Sequence, residues 1–173
     1  MKSFLPSMFY YGFPVVLLTT IDKDGNADVT PISCTFTLGT NAVIALVKLN
    51  KAYYNVMEVP EVVFNLPSAE MWEKVEAIAP YTAQNPVPPQ KVGKYAYTDD
   101  KFAIGGFTQL PSEKVRVPRI AECPIQAEAV VKQVNDRGTY ALIELEFVQV
   151  HAEDHLVMEE NKINPLAWEI GRA

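Results

Sequence analysis

The fold is decided by residues 14–48, which read PVVLLTTIDKDGNADVTPISCTFTLGTNAVIALVK. The apolar, β-branched run 15–21 has the length and composition of a strand, and the Asp-, Asn- and Gly-rich residues 22–26 after it are typical of a tight turn. Two more extended stretches, 27–37 and 42–48, follow with no helix between them. Parallel strands need a long crossover, usually a helix, so this order predicts an antiparallel meander.

A long hairpin is predicted near the C-terminus. Residues 125–132 alternate apolar and polar side chains with one exception, and residues 141–147 place Glu144 and Glu146 opposite an apolar face. The sequence Asn-Asp-Arg-Gly at 135–138 supplies the turn between the two strands. The spacing therefore predicts two paired strands with one face in the core.

The remaining elements are short because 13 prolines divide the chain. The pattern predicts a strand over 61–66, helices over 52–59 and 68–79 with Ser68 as N-cap, a short helix over 99–104 and a helical turn over 164–168. Residues 80–100 have no periodicity and predict a long loop, which is either a functional lid or a passive covering arm. We therefore expect one mostly β domain over 1–173, an antiparallel barrel with short peripheral helices.

Composition excludes several classes of function. With 15 Lys and Arg against 21 Asp and Glu, the net charge is −6, which argues against a dedicated nucleic-acid binder. The longest apolar run is too short to cross a bilayer, and no secretory signal is recognisable, so no membrane partner is expected. Two cysteines, Cys34 and Cys123, are expected to be free thiols in a reducing compartment, the cytoplasm.

Common catalytic and metal-binding motifs are mostly absent from the sequence. The chain has no phosphate loop, no Gly-x-Gly-x-x-Gly and no nucleophile elbow. His151 and His155 could be read as zinc ligands, but on an extended strand they would lie roughly 13 Å apart. We expect a solvated strand end there and no metal, with a metal-binding protein as the weaker alternative.

The segment Asp28-Val29-Thr30-Pro31-Ile32-Ser33-Cys34-Thr35 is unusual for a barrel strand because so many of its side chains are small and polar. Pro31 lacks an N–H for the ladder, so the strand should lie at an edge or break there. The free backbone groups of such an edge can meet a flat polar heterocycle. The alternative is a solvent-facing strand, which also favours Thr and Ser.

A second candidate is the segment Lys48-Leu49-Asn50-Lys51-Ala52-Tyr53-Tyr54-Asn55. It places two lysines and two asparagines where a strand gives way to a helix. A helix N-terminus offers free N–H groups and positive potential, which suit a phosphate. The alternative is a solvated, charged turn.

Together these segments resemble a known family. They occur with Val63-Phe64-Asn65-Leu66-Pro67, Asp100-Lys101-Phe102, Gly106-Phe107-Thr108 and Pro118-Arg119-Ile120-Ala121-Glu122-Cys123-Pro124. In this order, from residue 13 to 167, they are similar to the flavin reductase-like, FMN-binding split-barrel family, including its flavoredoxin-type members. Asp28 and Thr30 depart from the family's usual Asn and small apolar residue, so Asp28 is left out of the predicted site because its charge would repel a phosphate.

The resemblance implies a split β-barrel homodimer that binds FMN near the dimer interface. The stretch 30–34 would line the flavin ring and ribityl chain, and the turn 50–55 would receive the phosphate. The predicted cofactor-binding residues are Thr30, Pro31, Ile32, Ser33, Cys34, Lys48, Asn50, Lys51, Tyr53, Tyr54 and Asn55.

The implied function is that of an FMN-dependent oxidoreductase, either an NAD(P)H:flavin reductase or a flavoredoxin-like electron carrier. In such a protein the flavin carries the chemistry, so no catalytic side chain is predicted. The alternative is a flavin-binding protein without nicotinamide turnover.

Overall fold

Strands dominate the computed structural model, which describes residues 1–6, 9 and 11–168. The elements in chain order are β1 (Val16–Ile21), β2 (Ala27–Ile32), β3 (Thr35–Leu38), β4 (Asn41–Val47), α1 (Lys51–Glu58), β5 (Glu61–Leu66), α2 (Trp72–Ile78), α3 (Lys101–Gly105), β6 (Gln109–Leu110), β7 (Arg119–Ile120), β8 (Ile125–Asp136), β9 (Tyr140–Ala152), β10 (Val157–Met158) and β11 (Lys162–Ile163). Short 3-10 turns cover Ala69–Met71, Asp154–Leu156 and Glu159–Asn161.

The principal sheet has seven strands in the order β2-β1-β5-β8-β9-β4-β3, and every neighbouring pair is antiparallel. Its two edge strands, β2 and β3, follow each other directly in the sequence. Ile32 from β2 and Ile44 from β4 belong to the same buried apolar cluster, so the sheet curls until its ends share one core. The predicted antiparallel split barrel with short peripheral helices is confirmed.

Strand β1 explains why the N-terminal apolar run is unbroken. All six of its residues are buried, because Leu18 faces the barrel interior while Leu17 faces a second cluster outside it. That outer cluster includes Ile78 from α2 and Phe102 from α3. A strand covered on both faces reads as a continuous apolar run, as the sequence does here.

The predicted stretch 27–37 is two strands rather than one. β2 ends at Ile32 and β3 begins at Thr35, and the break falls at Ser33 and Cys34. Pro31 remains in the ladder opposite Leu17. Because β2 is an edge strand, the missing N–H of Pro31 costs no sheet bond on the outer side, which confirms the predicted edge position.

Two helical predictions need correction. The predicted helix 68–79 begins as a 3-10 turn and becomes α-helical only at Trp72, and Ser68 makes no side-chain cap bond; its carbonyl accepts the N–H of Met71 instead. Residues 164–168 form a turn, closed by the N–H of Ala167 on the carbonyl of Asn164, instead of a helical turn. The short helix predicted over 99–104 is observed as α3, which ends at Gly106 in the left-handed conformation.

The predicted hairpin is observed as β8 and β9, with two register shifts near Glu128 and Val131. At its start both faces are buried, so Gln126 and Glu128 lie inside the protein although their alternation suggested solvent. The reason is that residues 108–124 pack over this end of the sheet, where Glu128 receives hydrogen bonds from their backbone.

Residues 80–100 form the predicted long loop and contain no helix or sheet strand. The loop is tied to the start of α1, where Ala83 forms an isolated bridge with Asn50 and the carbonyl of Thr82 accepts the N–H of Lys51. It therefore covers the helix end that the sequence assigned to phosphate binding.

Candidate functional site

The predicted ring-binding and phosphate-binding residues lie toward opposite ends of β2. Ser33 and Cys34 follow the C-terminal end of the strand, and Cys34 is exposed. Lys51 approaches Asp28 near the N-terminal end. Five residues of extended chain separate Asp28 from Ser33, a distance of roughly 17 Å. The elements thus form one elongated site, with small polar groups at one end and ammonium groups at the other.

Asp28 lies at the charged end and is almost completely buried. Its Oδ2 is 2.9 Å from Nζ of Lys101, at the start of α3, and its Oδ1 is 3.6 Å from Nζ of Lys51, at the start of α1. The hydroxyl of Thr30 donates to Asp28 Oδ2 at 3.2 Å and accepts from Lys101 at 3.3 Å. Asp28 points inward, and two lysines more than neutralise the charge that argued against it.

Lys101 is as buried as Asp28, with 1% of its side chain exposed. Burial lowers the pKa of Lys101, while the charge and hydrogen bond of Asp28 act to raise it and the nearby ammonium of Lys51 lowers it further. An ammonium held this way is fixed in place by its carboxylate partner.

The start of α1 carries a third lysine, which comes from the loop. Lys91 Nζ donates to Oδ1 of Asn50, the N-cap residue of α1, and to both the hydroxyl and the carbonyl oxygen of Thr82. Burial, with the charge of Lys101 as a further cause, lowers the pKa of Lys91 to about 8. Lys51 and Lys101 therefore share one carboxylate in ion-pair contact, Asp28, whereas Lys91 has no ion-pair partner among the described residues. The carboxylate of Asp22 also lies close enough to Lys51 for its pKa to be lowered by that charge.

The other predicted site residues divide between structural and exposed positions. Asn55 is buried and donates to the hydroxyl of Thr20, which fixes α1 against β1. Lys48 pairs with Asp136 at the surface. Tyr53 packs partly against the barrel core, and its ring meets the more exposed Tyr54 edge-on with centroids 5.6 Å apart.

Pro31 and Ile32 also differ from each other in burial, as the two tyrosines do. Ile32 is in the barrel core, and Pro31 is half-buried on the edge of the sheet. The side chain of Ile32 is mostly buried, whereas Ser33 is half-buried and Cys34 is exposed, so these two can offer their side chains to a ligand.

Sequence reasoning missed Asp28, Lys91 and Lys101 as parts of this site. Lys101 belongs to the Asp100-Lys101-Phe102 motif, so a signal for it existed, although nothing in the sequence indicated that its ammonium would reach β2. Lys91 lies in a loop without periodicity and had no signal at all. Its position depends on how the loop folds back onto α1.

A second polar cluster lies at the open end of the hairpin, where β8 begins and β9 ends. It contains His151 and shows that the interpretation of this residue as a solvated strand end was wrong. Glu128, fully buried, accepts the backbone N–H groups of Glu113, Lys114 and Val115, and Nε2 of His151 lies 2.7 Å from its Oε1. His151 is therefore not a solvated strand end, because it pairs with a carboxylate carried by the adjacent strand.

His155, the other candidate metal ligand, is exposed in a 3-10 turn beside Glu153. In the described part of the chain, no three His, Cys, Asp or Glu side chains gather as a metal site would require. Nor does any helix of residues 1–6, 9 and 11–168 have the length and apolar character needed to cross a membrane.

Comparison with known proteins gives one family and several similar structures. The sequence profile described as "Flavin reductase like domain" matches residues 8–172. The uncharacterised protein YdfE of Bacillus subtilis (strain 168) is 36% identical over 172 residues, which cover 96% of this chain and 83% of YdfE.

Two solved structures share the fold. Flavoredoxin from Methanosarcina acetivorans has a TM-score of 0.79 at 16% identity, covering 98% of this chain and 84% of its own. An FMN-binding protein from Thermus thermophilus, solved with bound 1-cyclohex-2-enone, has a TM-score of 0.71 at 13% identity, with coverage of 95% and 88%. At these identities the likeness establishes the split-barrel fold.

Proposed function

This chain belongs to the flavin reductase like domain family, and from that premise we propose that it is an FMN-binding oxidoreductase, either an NAD(P)H:flavin reductase or a flavoredoxin-like electron carrier. The observation that carries the proposal is the presence of three ammonium groups, those of Lys51, Lys91 and Lys101, at one end of an elongated polar strand. A flavin mononucleotide has the matching polarity, with a flat heterocycle at one end and a dianionic phosphate at the other.

The residues present fit this group. Among the described residues, Lys51 and Lys101 form ion pairs with Asp28 and Lys91 forms none, so a phosphate would supply the anion that Lys91 lacks. At the other end, Ser33 and Cys34 interrupt the sheet and leave polar groups that can hydrogen-bond the ring. One compact group of lysines suits a single phosphate, which favours FMN over the pyrophosphate of FAD.

The protein's role in the reaction is to bind and orient. When bound, the flavin supplies the hydride and electron transfer, so the reaction requires no nucleophile or base from the protein. The stretch Thr30 to Cys34 would hold the ring, with Thr30 acting through its bonds to Asp28 and Lys101. Lys51 and Asn50 would hold the phosphate end, and the loop 80–100, packed on α1, would limit the access of water.

We further propose a homodimer. The edge strand β3 exposes Phe36 and Leu38, which retain 63% and 73% of their accessible surface. An isologous dimer is the commonest way to cover such an edge. Static light scattering should therefore report twice the 19.3 kDa mass of one chain. The free thiols of Cys34 and Cys123 support a reducing compartment, the cytoplasm.

The function is tested by the purified protein's spectrum and by anaerobic reduction. FMN added to the protein should bind in a saturable way, and NADH or NADPH should then bleach the visible absorbance of the bound flavin as hydride transfer proceeds. If dithionite bleaches the bound flavin but neither nicotinamide does, the reductase assignment is wrong and the electron-carrier or binding-protein assignment replaces it. If FMN does not bind at all, the whole proposal is wrong.

A further inference from the structure

Lys91 is a buried lysine with an unusual set of partners. Only 7% of the residue is exposed, and its ammonium donates to Asn50 Oδ1, Thr82 Oγ1 and the Thr82 carbonyl oxygen. All three acceptors are neutral. The ring of Tyr95 lies 4.9 Å from Nζ and adds a weak attraction to the cation.

The charge of Lys91 therefore has no opposite charge close to it. Among the described residues, the ion pairs within 4.0 Å include Lys51 and Lys101 but not Lys91. Removing an ammonium from water without an anion is costly, and buried cations are normally paired. The lowered pKa of Lys91, about 8, leaves the group mainly protonated at pH 7.

The position of Lys91 places this unpaired charge at the proposed phosphate-binding end of the site. Its hydrogen bond to Asn50 places the ammonium beside the first residues of α1, where Lys51 begins the helix. The loop reaches the same point twice more, through the carbonyl of Thr82 and the bridge of Ala83. A residue of the loop thus brings a third ammonium to the end of the site that contains Lys51 and Lys101.

We infer that Lys91 is a phosphate ligand contributed by the loop 80–100, and that its ammonium binds the phosphate monoester of FMN together with Lys51. This inference rests on the proposed function and adds a residue to it. The phosphate supplies the anion that Lys91 lacks, and the contact ties the loop to the bound cofactor. FMN binding then depends on the charge of Lys91, whereas binding of riboflavin, which has no phosphate, does not.

The competing explanation is a purely structural lysine that only anchors the loop to Asn50 and Thr82. A structural role and a ligand role differ in what the substitution does to two flavins. Loss of an anchor disturbs the loop and weakens both ligands alike. Loss of a phosphate ligand weakens only the ligand that carries a phosphate.

The test compares Lys91→Gln, which keeps a polar group for Asn50 and Thr82, with Lys94→Gln at an exposed lysine of the same loop. Affinities for FMN and riboflavin are measured by quenching of flavin fluorescence on the full-length protein. Thermal unfolding confirms that each variant is folded. Lys91→Arg restores the charge and guards against a result that reflects the loss of side-chain volume.

The expected result is a loss in FMN affinity of roughly 10- to 100-fold for Lys91→Gln, the range for a hydrogen bond to a charged group. Riboflavin affinity should change less than about twofold, which is well below the loss expected when a hydrogen bond to a charged group is removed. Lys94→Gln should match the wild type for both flavins, and Lys91→Arg should recover most of the FMN affinity.

Three results would overturn the inference. Equal losses for FMN and riboflavin would make Lys91 a structural anchor, and unchanged FMN affinity would remove it from the phosphate site; in both cases flavin binding by the wild type would leave the proposed function standing. If the wild type binds neither flavin, the proposed function fails and this inference fails with it.

Discussion

Asp28 and Glu128 are both carboxylates with at most 1% of their surface exposed, yet they are stabilised in different ways. Asp28 is surrounded by charge, since the ammonium groups of Lys101 and Lys51 both approach it. Glu128 is surrounded mainly by backbone, with three N–H groups of residues 113–115 and the ring of His151 as its donors.

The difference separates a structural cluster from a binding site. At Glu128 the donors come from one backbone segment and one neighbouring strand, so the carboxylate fixes residues 113–115 onto β8. Asp28 receives two cations for one negative charge, and Lys91 adds a third nearby without any carboxylate. The first cluster is complete in itself, whereas the second includes an ammonium, that of Lys91, that a bound anion can pair with.

The largest effect that this comparison predicts is on stability. Glu128→Ala leaves the N–H of buried Val115 and the part-buried N–H groups of Glu113 and Lys114 without their acceptor. We expect a loss of roughly 3–5 kcal/mol in the free energy of unfolding, the range for breaking a buried charge cluster. Urea denaturation at pH 7 provides the measurement. Glu146→Ala, which removes an exposed partner of Lys132, is the control and should cost less than about 1 kcal/mol. A similar small cost for both variants would show that Glu128 does not anchor residues 113–115 to β8.

Lys101→Met should have a smaller effect, about 2–3 kcal/mol, because Asp28 keeps Lys51 as a partner after the substitution. The methionine fills a similar volume, so most of the loss reports the missing charge. The double variant Asp28→Asn, Lys101→Met should lose less stability than the sum of the losses of Asp28→Asn and Lys101→Met alone. Additive losses would show that the two groups do not interact as the geometry indicates.

A further, smaller effect is expected on the stability of the protein at acidic pH. Burial raises the pKa of Glu128, but hydrogen bonds from the N–H of Glu113, from His151 and from the N–H groups of Lys114 and Val115 outweigh it, so the pKa lies below its usual value. The stabilisation is present above the pKa of an unfolded glutamate, about 4.3, and is lost as the pH falls through the folded value.

Unfolding free energies measured by urea between pH 7 and pH 3 should therefore fall more steeply for the wild type than for Glu128→Gln. The glutamine variant cannot titrate at this position, so the difference between the two curves isolates Glu128. Parallel curves would mean that the buried carboxylate contributes nothing to acid sensitivity.

The elements of the fold could be predicted because local patterns determine them. The unbroken run of β1, the turn residues 22–26 and the alternation in β9 each specify a strand or a turn without distant contacts. Two features depend on packing against other elements and leave no periodic pattern in the sequence. They are the break between β2 and β3 at Ser33 and Cys34 and the 3-10 turn that precedes α2. The burial of Glu128 is of the same kind, since the covering segment lies outside the strand.

The site could be predicted only in part for a similar reason. Lys51 and Asn50 lie at a strand-to-helix junction, which the sequence shows directly. Asp28 was left out because a carboxylate repels phosphate, an argument that holds only for an unpaired carboxylate. Its partners come from α1 and α3, and Lys101 lies 73 residues away along the chain. The ammonium groups that pair with Asp28 are therefore recognisable only in three dimensions.

The most direct test of the account is the ratio of the riboflavin to the FMN dissociation constant, measured by fluorescence titration for the wild type, Lys51→Ala and His151→Gln. The wild type should favour FMN, and Lys51→Ala should lose roughly 1–3 kcal/mol of that preference by weakening FMN alone. His151→Gln, in the structural cluster, should keep the wild-type ratio. A wild type that binds both flavins equally, or a ratio that falls with His151→Gln and not with Lys51→Ala, would contradict the assignment of the phosphate site to the lysines around Asp28.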